Sequence, residues 1–524
     1  MTLAAPILQE DYWETFEIRT DDLEFLYAHL LESEIPQTTR ELLSHLVLDR
    51  LHRELAAIDR RRSSEGETYH PGSRYDLGQD LTFPALNWRH GTVSGKRPGN
   101  NPDYPPFEVL QIDFNPDETR EFASGISDHA LNSPTTLEVD ALSGSPAEIL
   151  ELHEKNLITG LEAALRSSNE FQSIAGRWFP RALLADIHAG QLNLAEAILD
   201  MNGGGPLSTG ELLRTVELPE NVNPTLAEFS LDYALWKDQR FDEVGPAGEI
   251  LWHLKRLEPA EVLEPPETLV YQAIDYDPTR LTEEMRSLEL KLDDELTPTA
   301  DPARSVVEVE IRLIFPHWRS GTLPLASRLL PLFPTAYQAP RIRFMLVDGE
   351  TGEKFPGWVV REQGYVFGLT DFYARKELFP GSLLKVRRSD HPGEVVIDAG
   401  GSRSAREWVR TVLVGSDDNF VLAMLKQKVT LPFDERMAIF IPDIQLIERV
   451  REKYRKDGTP FERIVVNTLK QLSKLSAQGH VHVSELYACL NVFRRCPPGP
   501  ILALLGSNPI FRHVGDLHFK MDEM

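Results

Sequence analysis

The order of elements between residues 191 and 257 constrains the fold of this chain more than any other feature of its sequence. "QLNLAEAILDMNG" has helical spacing, "GPLS" is a short extended piece, and "TGELLRTV" is a second helix that Ser208 or Thr209 can cap. "NPTLAEFSLDYALWKDQ" is a third helix with Pro224 near its first turn, and two strands, "RFDEVG" and "EILWHLKRL", surround a turn. The sequence therefore predicts helix, strand, helix, helix and hairpin in that order.

The same order returns between residues 459 and 522. "TPFERIVVNTLKQLSKL" is the first helix, "HVHV" the strand, "SELYACLNVF" the second helix, "PPGPILALLGSN" the third and "IFRHVGDLHFKMD" the hairpin. The second helices share Glu-Leu at 211–212 and 485–486, and both hairpins begin with Phe-x-x-Val-Gly, at 241–245 and 511–515. This is the order of a winged helix-turn-helix, so the sequence predicts two such units.

A shorter echo precedes each predicted unit. "NWRHGTV" (87–93) and "HWRSGTL" (317–323) each follow a Phe-Pro pair, and a third "ELL" occurs at 41–43 without a matching hairpin phrase. Duplication of a barrel strand followed by a winged helix is one explanation, and chance is the other, because Gly-Thr ends many strands. In either case we interpret Arg89 and Arg319 as surface residues at strand ends.

At 524 residues the chain is too long for one core, and roughly 100 to 200 residues per domain predict three to five domains. Residues 258–301 carry thirteen acidic residues against three basic ones, a composition typical of a solvated spacer with one short helix near residues 281–292. The predicted fold class is α+β multidomain, with winged helix-turn-helix domains combined with small β-barrels. The predicted parts are an N-terminal helical domain (1–70), a small five-stranded β-barrel of Tudor or KOW type (71–130), a helical segment and winged helix (145–257), the acidic linker (258–305), a β-barrel region (306–445) and a basic C-terminal winged helix (446–524).

The net charge of −26 is unevenly distributed. Residues 449–520 contain twelve Lys and Arg against five Asp and Glu, so an acidic body carries a basic C-terminal end. The first residues do not have the pattern of a signal peptide, no uncharged apolar stretch of about 18 residues occurs, and the chain has two cysteines. We therefore expect a cytoplasmic protein that does not bind a membrane.

Basic residues of the C-terminal end are candidates for binding nucleic-acid phosphates. Arg463, Lys470 and Lys474 fall on one polar stripe of the first helix, opposite its apolar face. The other candidates in this region are Arg494, Arg495, Arg512 and Lys520. A solvated basic face without a ligand is the alternative. The third helix offers only one serine and one asparagine to base edges, so backbone contacts are expected rather than sequence reading.

The third helix of the middle unit favours a protein partner. Glu228 and Asp232 are predicted to be exposed with Leu231 and Leu235 among them, a mixed face that phosphates would repel. We therefore expect the acidic N-terminal half to bind a protein, such as RNA polymerase or a basic protein.

Patterns that carry catalytic or metal chemistry are weak in this sequence. "GTVSGKR" (91–97) has the wrong glycine spacing for a phosphate-binding loop, and no Ser or Thr follows its lysine. In "VDGETGEK" (347–354), Glu353 and Lys354 are adjacent, so we interpret the stretch as a hairpin turn rather than a nuclease site. Cys489 and Cys496 lack the spacing and the second pair of a zinc site. We expect no enzyme activity, no metal and no cofactor.

The two predicted winged units resemble the HARE-HTH family. The resemblance rests on the Glu-Leu pairs at 211–212 and 485–486 and on the Phe-x-x-Val-Gly hairpins at 241–245 and 511–515. This family is found in the delta subunit of bacterial RNA polymerase and is fused to restriction and chromatin proteins. The resemblance implies a bacterial multidomain protein with a nucleic-acid or polymerase-associated role and without catalysis.

A second resemblance concerns residues 344–388, which are similar to the DNA-binding pseudobarrel of plant transcription factors and of some restriction-enzyme effector domains. The residues that carry it are Phe344, Asp348, Gly349, Trp358, Tyr365, Leu369, Phe372, Leu378 and Gly381. The chain departs from the family at Ser382, where an aspartate is usual. The resemblance implies phosphate contacts by Arg375, Lys376, Arg387 and Arg388.

The leading hypothesis is a non-enzymatic, nucleic-acid-associated protein with a transcription-related or DNA-binding regulatory role, which binds DNA or RNA through its C-terminal half. Two alternatives stay open. One is a protein-protein scaffold that uses winged helices as contact surfaces, and the other is an accessory subunit of a restriction or defence system.

Overall fold

The computed structural model divides the chain into two compact units. One comprises Met1–Asp186 and Asn221–Ser230, and the other comprises Ile187–Glu220 and Leu231–Met524. Both contain helices and sheets, which confirms the predicted α+β multidomain class. The described residues are 12–63, 67–83, 86, 89–102, 104–115, 118–132, 146–216, 218, 222–297, 306–401 and 404–522.

The first unit begins with two helices joined by a short strand. These elements are α1 (Thr20–Ser33), β1 (Gln37–Thr38) and α2 (Thr39–Ser63). Leu26 and Leu30 lie one turn apart on the buried face of α1. Buried Asp22 of α1 pairs with Arg50 of α2, so a paired charge as well as apolar contacts fixes the two helices together.

A five-stranded sheet follows. Its strands, in spatial order, are β2 (Glu67–Thr68), β3 (Asp80–Phe83), β4 (Arg89–Pro98), β5 (Glu108–Asn115) and β6 (Glu118–Ser124). Tyr69, Phe83 and Leu110 belong to its buried core. The Tyr69 hydroxyl donates to the Ala123 carbonyl at 2.5 Å, which links the two ends of the sheet. Five strands agree with the predicted number, but the first of them lies before residue 71, where the predicted barrel begins, and the identification as a Tudor or KOW barrel stays a prediction.

The helical pattern predicted after residue 145 is only partly correct. The helix α3 (Pro146–Ser167) is present, but a hairpin of β7 (Phe171–Ile174) and β8 (Arg177–Pro180) follows it. Ala175 and Gly176 make its turn with φ of 48° and 76°, and the sheet order is β1-β8-β7. The first unit therefore contains helix, strand, helix, helix and hairpin, which we call module 1, with the five-stranded sheet inserted between α2 and α3.

The order predicted for residues 191–257 is confirmed. Its elements are α4 (Ala189–Met201), β9 (Leu207–Ser208), α5 (Thr209–Leu213), α6 (Pro224–Lys237), β10 (Phe241–Glu243) and β11 (Leu251–Leu254). The strand order is β10-β11-β9. Leu199, Leu212, Leu235 and Trp252 share one buried cluster. We call this region module 2.

The acidic segment after module 2 is not a solvated spacer over residues 258–297. It contains α7 (Ala260–Leu263) and α8 (Glu283–Leu292), the latter at the predicted place. Leu281, Met285 and Leu288 are buried in the same cluster as the C-terminal helices. The prediction was wrong because these apolar residues, spaced by four and three, give an acidic helix one buried face.

The central part of the second unit is mostly β-structure, as predicted. The elements are β12 (Glu308–Arg312), α9 (Phe315–Ser320), β13 (Thr322–Pro324), β14 (Arg341–Asp348), β15 (Lys354–Val360), β16 (Tyr365–Phe367), α10 (Thr370–Arg375), β17 (Leu383–Arg388), β18 (Glu394–Asp398), β19 (Ala405–Val414) and β20 (Phe420–Val429). One sheet has the order β12-β17-β18-β14-β15-β16-β13, and a separate ribbon pairs β19 with β20. Leu346, Val386 and Ile397 lie in the core of the sheet.

The C-terminal part repeats the module order after one extra helix, α11 (Ile444–Lys456). Module 3 comprises α12 (Phe461–Ser473), β21 (Val481–His482), α13 (Val483–Phe493), α14 (Pro498–Ser507), β22 (Phe511–Gly515) and β23 (His518–Met521). Its strand order is β21-β23-β22. The predicted order of elements is confirmed, whereas the identification as a winged helix stays a prediction.

Modules 1 and 2 each contain a buried polar contact of the same kind. In module 1, the Trp178 indole donates to Thr39 Oγ1 at 3.0 Å, and that hydroxyl donates to Glu162 at 3.2 Å. The tryptophan is on the second hairpin strand, the threonine begins the second helix, and the glutamate is on the third helix. This contact ties together the three parts of the module that are distant in sequence.

Module 2 has the same arrangement. The Trp252 indole donates to Thr209 Oγ1 at 3.1 Å and to Asp232 Oδ1 at 2.9 Å. In module 3 the corresponding positions hold Val483 and Phe519, and Phe519 pairs with the short strand in the same register as the two tryptophans. Module 3 therefore has an apolar contact where modules 1 and 2 each have a buried polar one.

The short echo does not form the same structure twice. Arg89 begins strand β4, whereas Arg319 lies in helix α9, which ends at Gly321 in the left-handed conformation (φ 62°). The expectation that Arg319 ends a strand is wrong, because residues 315–320 close a helical turn before β13 begins. The repetition in this chain concerns the modules and not the sequence echo.

Candidate nucleic-acid interface

Helix α12 and the residue that follows it, Lys474, present three cationic side chains to solvent. Ile464, Leu469 and Leu472 are buried, and Arg463, Lys470 and Lys474 are exposed on the opposite side. Within the described residues, no carboxylate lies within 4.0 Å of any of these three cations. The predicted basic stripe is therefore exposed, and its charges are available to an external anion.

Three further candidates lie elsewhere in module 3. The Arg494 guanidinium is half-buried, lies 5.8 Å from the centre of the Phe461 ring and has no carboxylate partner among the described residues. Lys520 is also half-buried on the hairpin. Arg512 is exposed but already paired with Asp522 at 3.3 Å. Arg494 and Lys520 are therefore cations without a carboxylate partner among the described residues, whereas Arg512 is partly neutralised.

The prediction that Arg495 contacts nucleic acid is wrong. Its side chain is fully buried, and its guanidinium donates to both carboxylate oxygens of Asp294, at 2.6 and 2.8 Å, and to Glu295 at 2.8 Å. The Tyr487 hydroxyl donates to Asp294 at 2.5 Å. Arg495 therefore binds the acidic segment to module 3 inside the protein.

The same buried cluster includes part of the "HWRSGTL" stretch. His317 Nε2 lies 3.1 Å from Glu295 Oε1, and His317 Nδ1 lies 2.8 Å from Thr322 Oγ1. Burial acts to raise the pKa of Glu295, but Arg495 and His317 hold that pKa well below its usual range. These residues join α9, the acidic segment and α13 through charges that water does not reach.

Of the four cations expected from the pseudobarrel resemblance, two are paired with carboxylates and two are not, within the part of the chain that the structure describes. Lys376 lies 3.0 Å from Asp348 and 2.6 Å from Glu350, and Arg375 pairs with Glu353 at 3.2 Å. Arg387 and Arg388 are exposed on β17, and Arg388 donates to the Pro331 carbonyl. Two of the four candidates are thus already neutralised by neighbouring carboxylates, which weakens an anion site on α10.

An open cavity of about 1000 Å³ lies beside the beginning of α12. Arg319 and Arg455, which line it, are paired with Glu448 and Glu267. Arg451, which also lines it, has no carboxylate within 4.0 Å among the described residues, and its guanidinium donates to the Val492 carbonyl at 3.0 Å. Because Arg494 also lines the cavity, two of its cations have no carboxylate partner among the described residues.

Sequence reasoning missed Arg451. It lies in α11, a helix with buried Ile447 and Val450 and a strongly basic C-terminal end. That amphipathic pattern was visible in the sequence, but the wall it forms with α13 depends on packing between helices. Pro460 and Ile464 line the same cavity, so exposed Arg463 lies on the turn of α12 beside its edge.

The third helix of module 3 is not available to a DNA groove. Pro498, Ile501, Leu502 and Leu505 of α14 are buried, and Met285 of α8 belongs to the same cluster. The acidic segment thus covers one side of α14. Base reading by this helix, which the sequence already made doubtful, is blocked by the protein itself.

The predicted partner-binding face of α6 is also mostly absent. Leu231, Asp232 and Leu235 are buried, and Glu228 is exposed. The prediction is wrong because Asp232 turns inward to bind Thr209 and the Trp252 indole, which places the adjacent leucines in the core.

The sequence patterns that resemble catalytic motifs have structural roles. Residues 91–97 are part of strand β4, and "DGETG" forms the turn between β14 and β15, where Asp348 accepts from the backbone of Glu350 at 2.9 Å. Both cysteines are buried, and burial raises the pKa of the Cys489 thiol to about 12. In the described parts of the chain, no three His, Cys, Asp or Glu side chains are grouped as metal ligands.

Comparisons with known proteins identify no relative of this chain. No family model, no curated protein and no solved structure matches the chain. Among the helices of the described residues, none is both long and apolar enough to cross a membrane.

Proposed function

We propose that this protein is a non-enzymatic nucleic-acid-binding protein whose module 3 is a winged helix that contacts the phosphate backbone. The observation that carries the proposal is the α12 face, where Arg463, Lys470 and Lys474 are exposed without a carboxylate partner among the described residues. A chain with a net charge of −26 has ample carboxylates to neutralise such a stripe. Its unpaired state supports an external polyanion as the ligand.

The geometry of α14 supports backbone contacts rather than base reading. A helix that reads bases needs polar side chains facing the major groove, and α14 is buried against α8. Phosphate contacts carry no sequence information directly. We therefore expect binding with little sequence preference and a transcription-related or other DNA-associated role in which a partner or the DNA shape supplies specificity.

The proposal is tested by the salt dependence of duplex binding. The full-length protein and the variant R463Q/K470Q/K474Q are titrated against a labelled duplex by fluorescence anisotropy at several salt concentrations. The variant is expected to bind more weakly, and the slope of log K against log salt is expected to become less negative by about 2 to 3, since each neutralised phosphate contributes roughly 0.9.

The matched control removes three exposed cations of the first unit that also have no carboxylate within 4.0 Å among the described residues, in the variant R74Q/K155Q/R181Q. It changes the net charge equally and is expected to keep the wild-type slope. If both triple variants reduce the slope to the same extent, the attraction is a general charge effect and the α12 interface is wrong. Absence of duplex binding by the wild type at low salt overturns the proposed function.

A further inference from the structure

The β19–β20 ribbon has one face that changes character along its length. At one end of this face Val412, Phe420 and Leu422 are buried in the core that includes the helices of module 3. Directly paired residues of an antiparallel ribbon lie on the same face, and every second residue along a strand continues that face. The opposite end of the face therefore holds the pairs 406–428, 408–426 and 410–424.

That free end is aromatic and basic. Trp408 is 59% exposed and Met424 is 39% exposed. Lys426 Nζ lies 5.4 Å from the centre of the Trp408 ring, and the exposed cations Arg406 and Lys428 form the next pair along the ribbon. We call these five residues the ribbon patch. Arg410, the sixth residue of the three pairs, is buried and pairs with Glu485 at 3.2 Å, so it is not part of the patch.

The charges of the ribbon patch are not neutralised by the protein. Within the described residues, no carboxylate lies within 4.0 Å of Arg406, Lys426 or Lys428. Glu407, the nearest acidic residue in sequence, lies on the other face of the ribbon because side chains alternate along a strand. Three cations without a carboxylate partner around an exposed indole are complementary to a ligand that has both anionic groups and flat apolar rings.

We propose that the ribbon patch binds single-stranded nucleic acid, with an unpaired base stacked on Trp408 and phosphates close to Arg406, Lys426 and Lys428. A base in a duplex is stacked on both sides, whereas an unpaired base offers its face to an aromatic side chain. Grooves that combine such rings with cations bind single strands with little sequence preference. The inference deepens the proposed function, on which it rests, by adding a second polymer form and a separate site.

The experiment uses the full-length protein and two labelled ligands, a short oligo(dT) strand and a hairpin duplex with the same number of phosphates. Replacement of one stacking residue is expected to weaken oligo(dT) binding about 5- to 150-fold in W408A. W408F is expected to restore most of the affinity, since a phenyl ring can also stack. The variant K426Q/K428Q is expected to reduce the salt dependence of oligo(dT) binding. Duplex binding by W408A is expected to equal that of the wild type.

The matched control is W236A, because Trp236 is also exposed, at 53%, but lies on α6. It is expected to bind oligo(dT) as the wild type does. Circular dichroism melting of W408A checks that the fold is intact, which is expected because the side chain is exposed.

The possible failures separate the two proposals. If the protein binds the duplex through α12 but W408A binds oligo(dT) with unchanged affinity, the ribbon inference is wrong and the proposed function stands. If poly-glutamate of equal charge competes as well as oligo(dT), the ribbon patch is a general cationic surface and the inference is also wrong. If the wild type binds neither nucleic acid, both proposals are overturned.

Discussion

Arg494 and Arg495 are adjacent in sequence but differ in burial and in their ion pairs. Arg495 is enclosed by Asp294 and Glu295, whereas Arg494 is half-buried on the cavity wall without a carboxylate partner among the described residues. Removal of one member of a buried ion pair leaves the remaining charges without compensation in the interior. The pair of arginines therefore offers a direct comparison of a structural and a ligand-facing cation.

We expect R495Q to lower the free energy of unfolding by about 3 to 5 kcal/mol, because it leaves Asp294 and Glu295 buried and unpaired. R494Q is expected to change the same quantity by less than about 0.5 kcal/mol, as is usual for a substitution outside a buried network. Urea unfolding followed by circular dichroism measures both. Equal stability of the two variants would contradict the role assigned to Arg495.

The sequence could not distinguish these two residues. Both follow the second helix of module 3, and the helical pattern gives no reason to bury only one of them. The partners of Arg495 are about 200 positions away, at Asp294 and Glu295, in a segment whose composition indicates a solvated linker. By contrast, Arg463, Lys470 and Lys474 were predictable, because their exposure follows from the local periodicity of one helix.

At the scale of elements, close contact between α14 and the acidic segment explains a glycine in the first turn of that helix. A Cβ atom on Gly499 would lie 2.4 Å from Tyr276 Oη and 2.9 Å from Glu289 Oε1. A Cβ atom on Gly506, in the same helix, would have Met285 Cε as its nearest neighbour at 3.4 Å. The two glycines are therefore a matched pair in which only the first is required by packing.

We expect G499A to destabilise the protein by about 1 to 3 kcal/mol, the usual cost of overpacking, despite the better helix propensity of alanine. G506A is expected to be neutral or to stabilise by up to about 1 kcal/mol. Thermal melting of both variants measures the difference. In the double variant Y276F/G499A the shorter side chain relieves the closest contact, so part of the loss is expected to return. No recovery would mean that α14 does not clash with Tyr276.

Element order was predictable where it depends on local signals. Capping residues and apolar spacing predicted modules 2 and 3 and helix α8. Module 1 was not predicted, because the five-stranded sheet separates α2 from α3 and interrupts the repeating order. The signal that could have revealed it is the pairing of Trp178 with Thr39, which Trp252 and Thr209 repeat, but a single sequence does not show which tryptophan faces which threonine.

At the scale of the whole molecule, acidic side chains are buried in the interior as well as exposed at the surface. Glu258 lies where the hairpin of module 2 meets the seven-stranded sheet, and Arg343 of β14 donates its backbone N–H to Val244 of that hairpin at 2.9 Å. Glu258 Oε2 lies 3.3 Å from Arg341 Nε, but Asp242 already holds that guanidinium at 2.5 Å. Burial and the Asp242 carboxylate raise the pKa of Glu258 to about 8.

This raised pKa predicts that stability depends on pH at the joint between the hairpin of module 2 and the seven-stranded sheet. Glu258 ionises near its ordinary pKa in the unfolded chain but stays protonated in the folded protein, so the folded state binds more protons between about pH 4.5 and pH 8. Its contribution to stability is therefore complete below that range and is lost as the pH rises through it.

The variant E258Q carries a neutral side chain of similar shape at every pH. Relative to the wild type, its melting temperature is expected to be unchanged near about pH 4 and to rise progressively toward about pH 8. The control E264Q, at an exposed position of the same segment, is expected to follow the wild type at every pH. If the difference between E258Q and the wild type stays constant from acid to neutral pH, Glu258 does not titrate with a raised pKa and the joint is not pH-dependent.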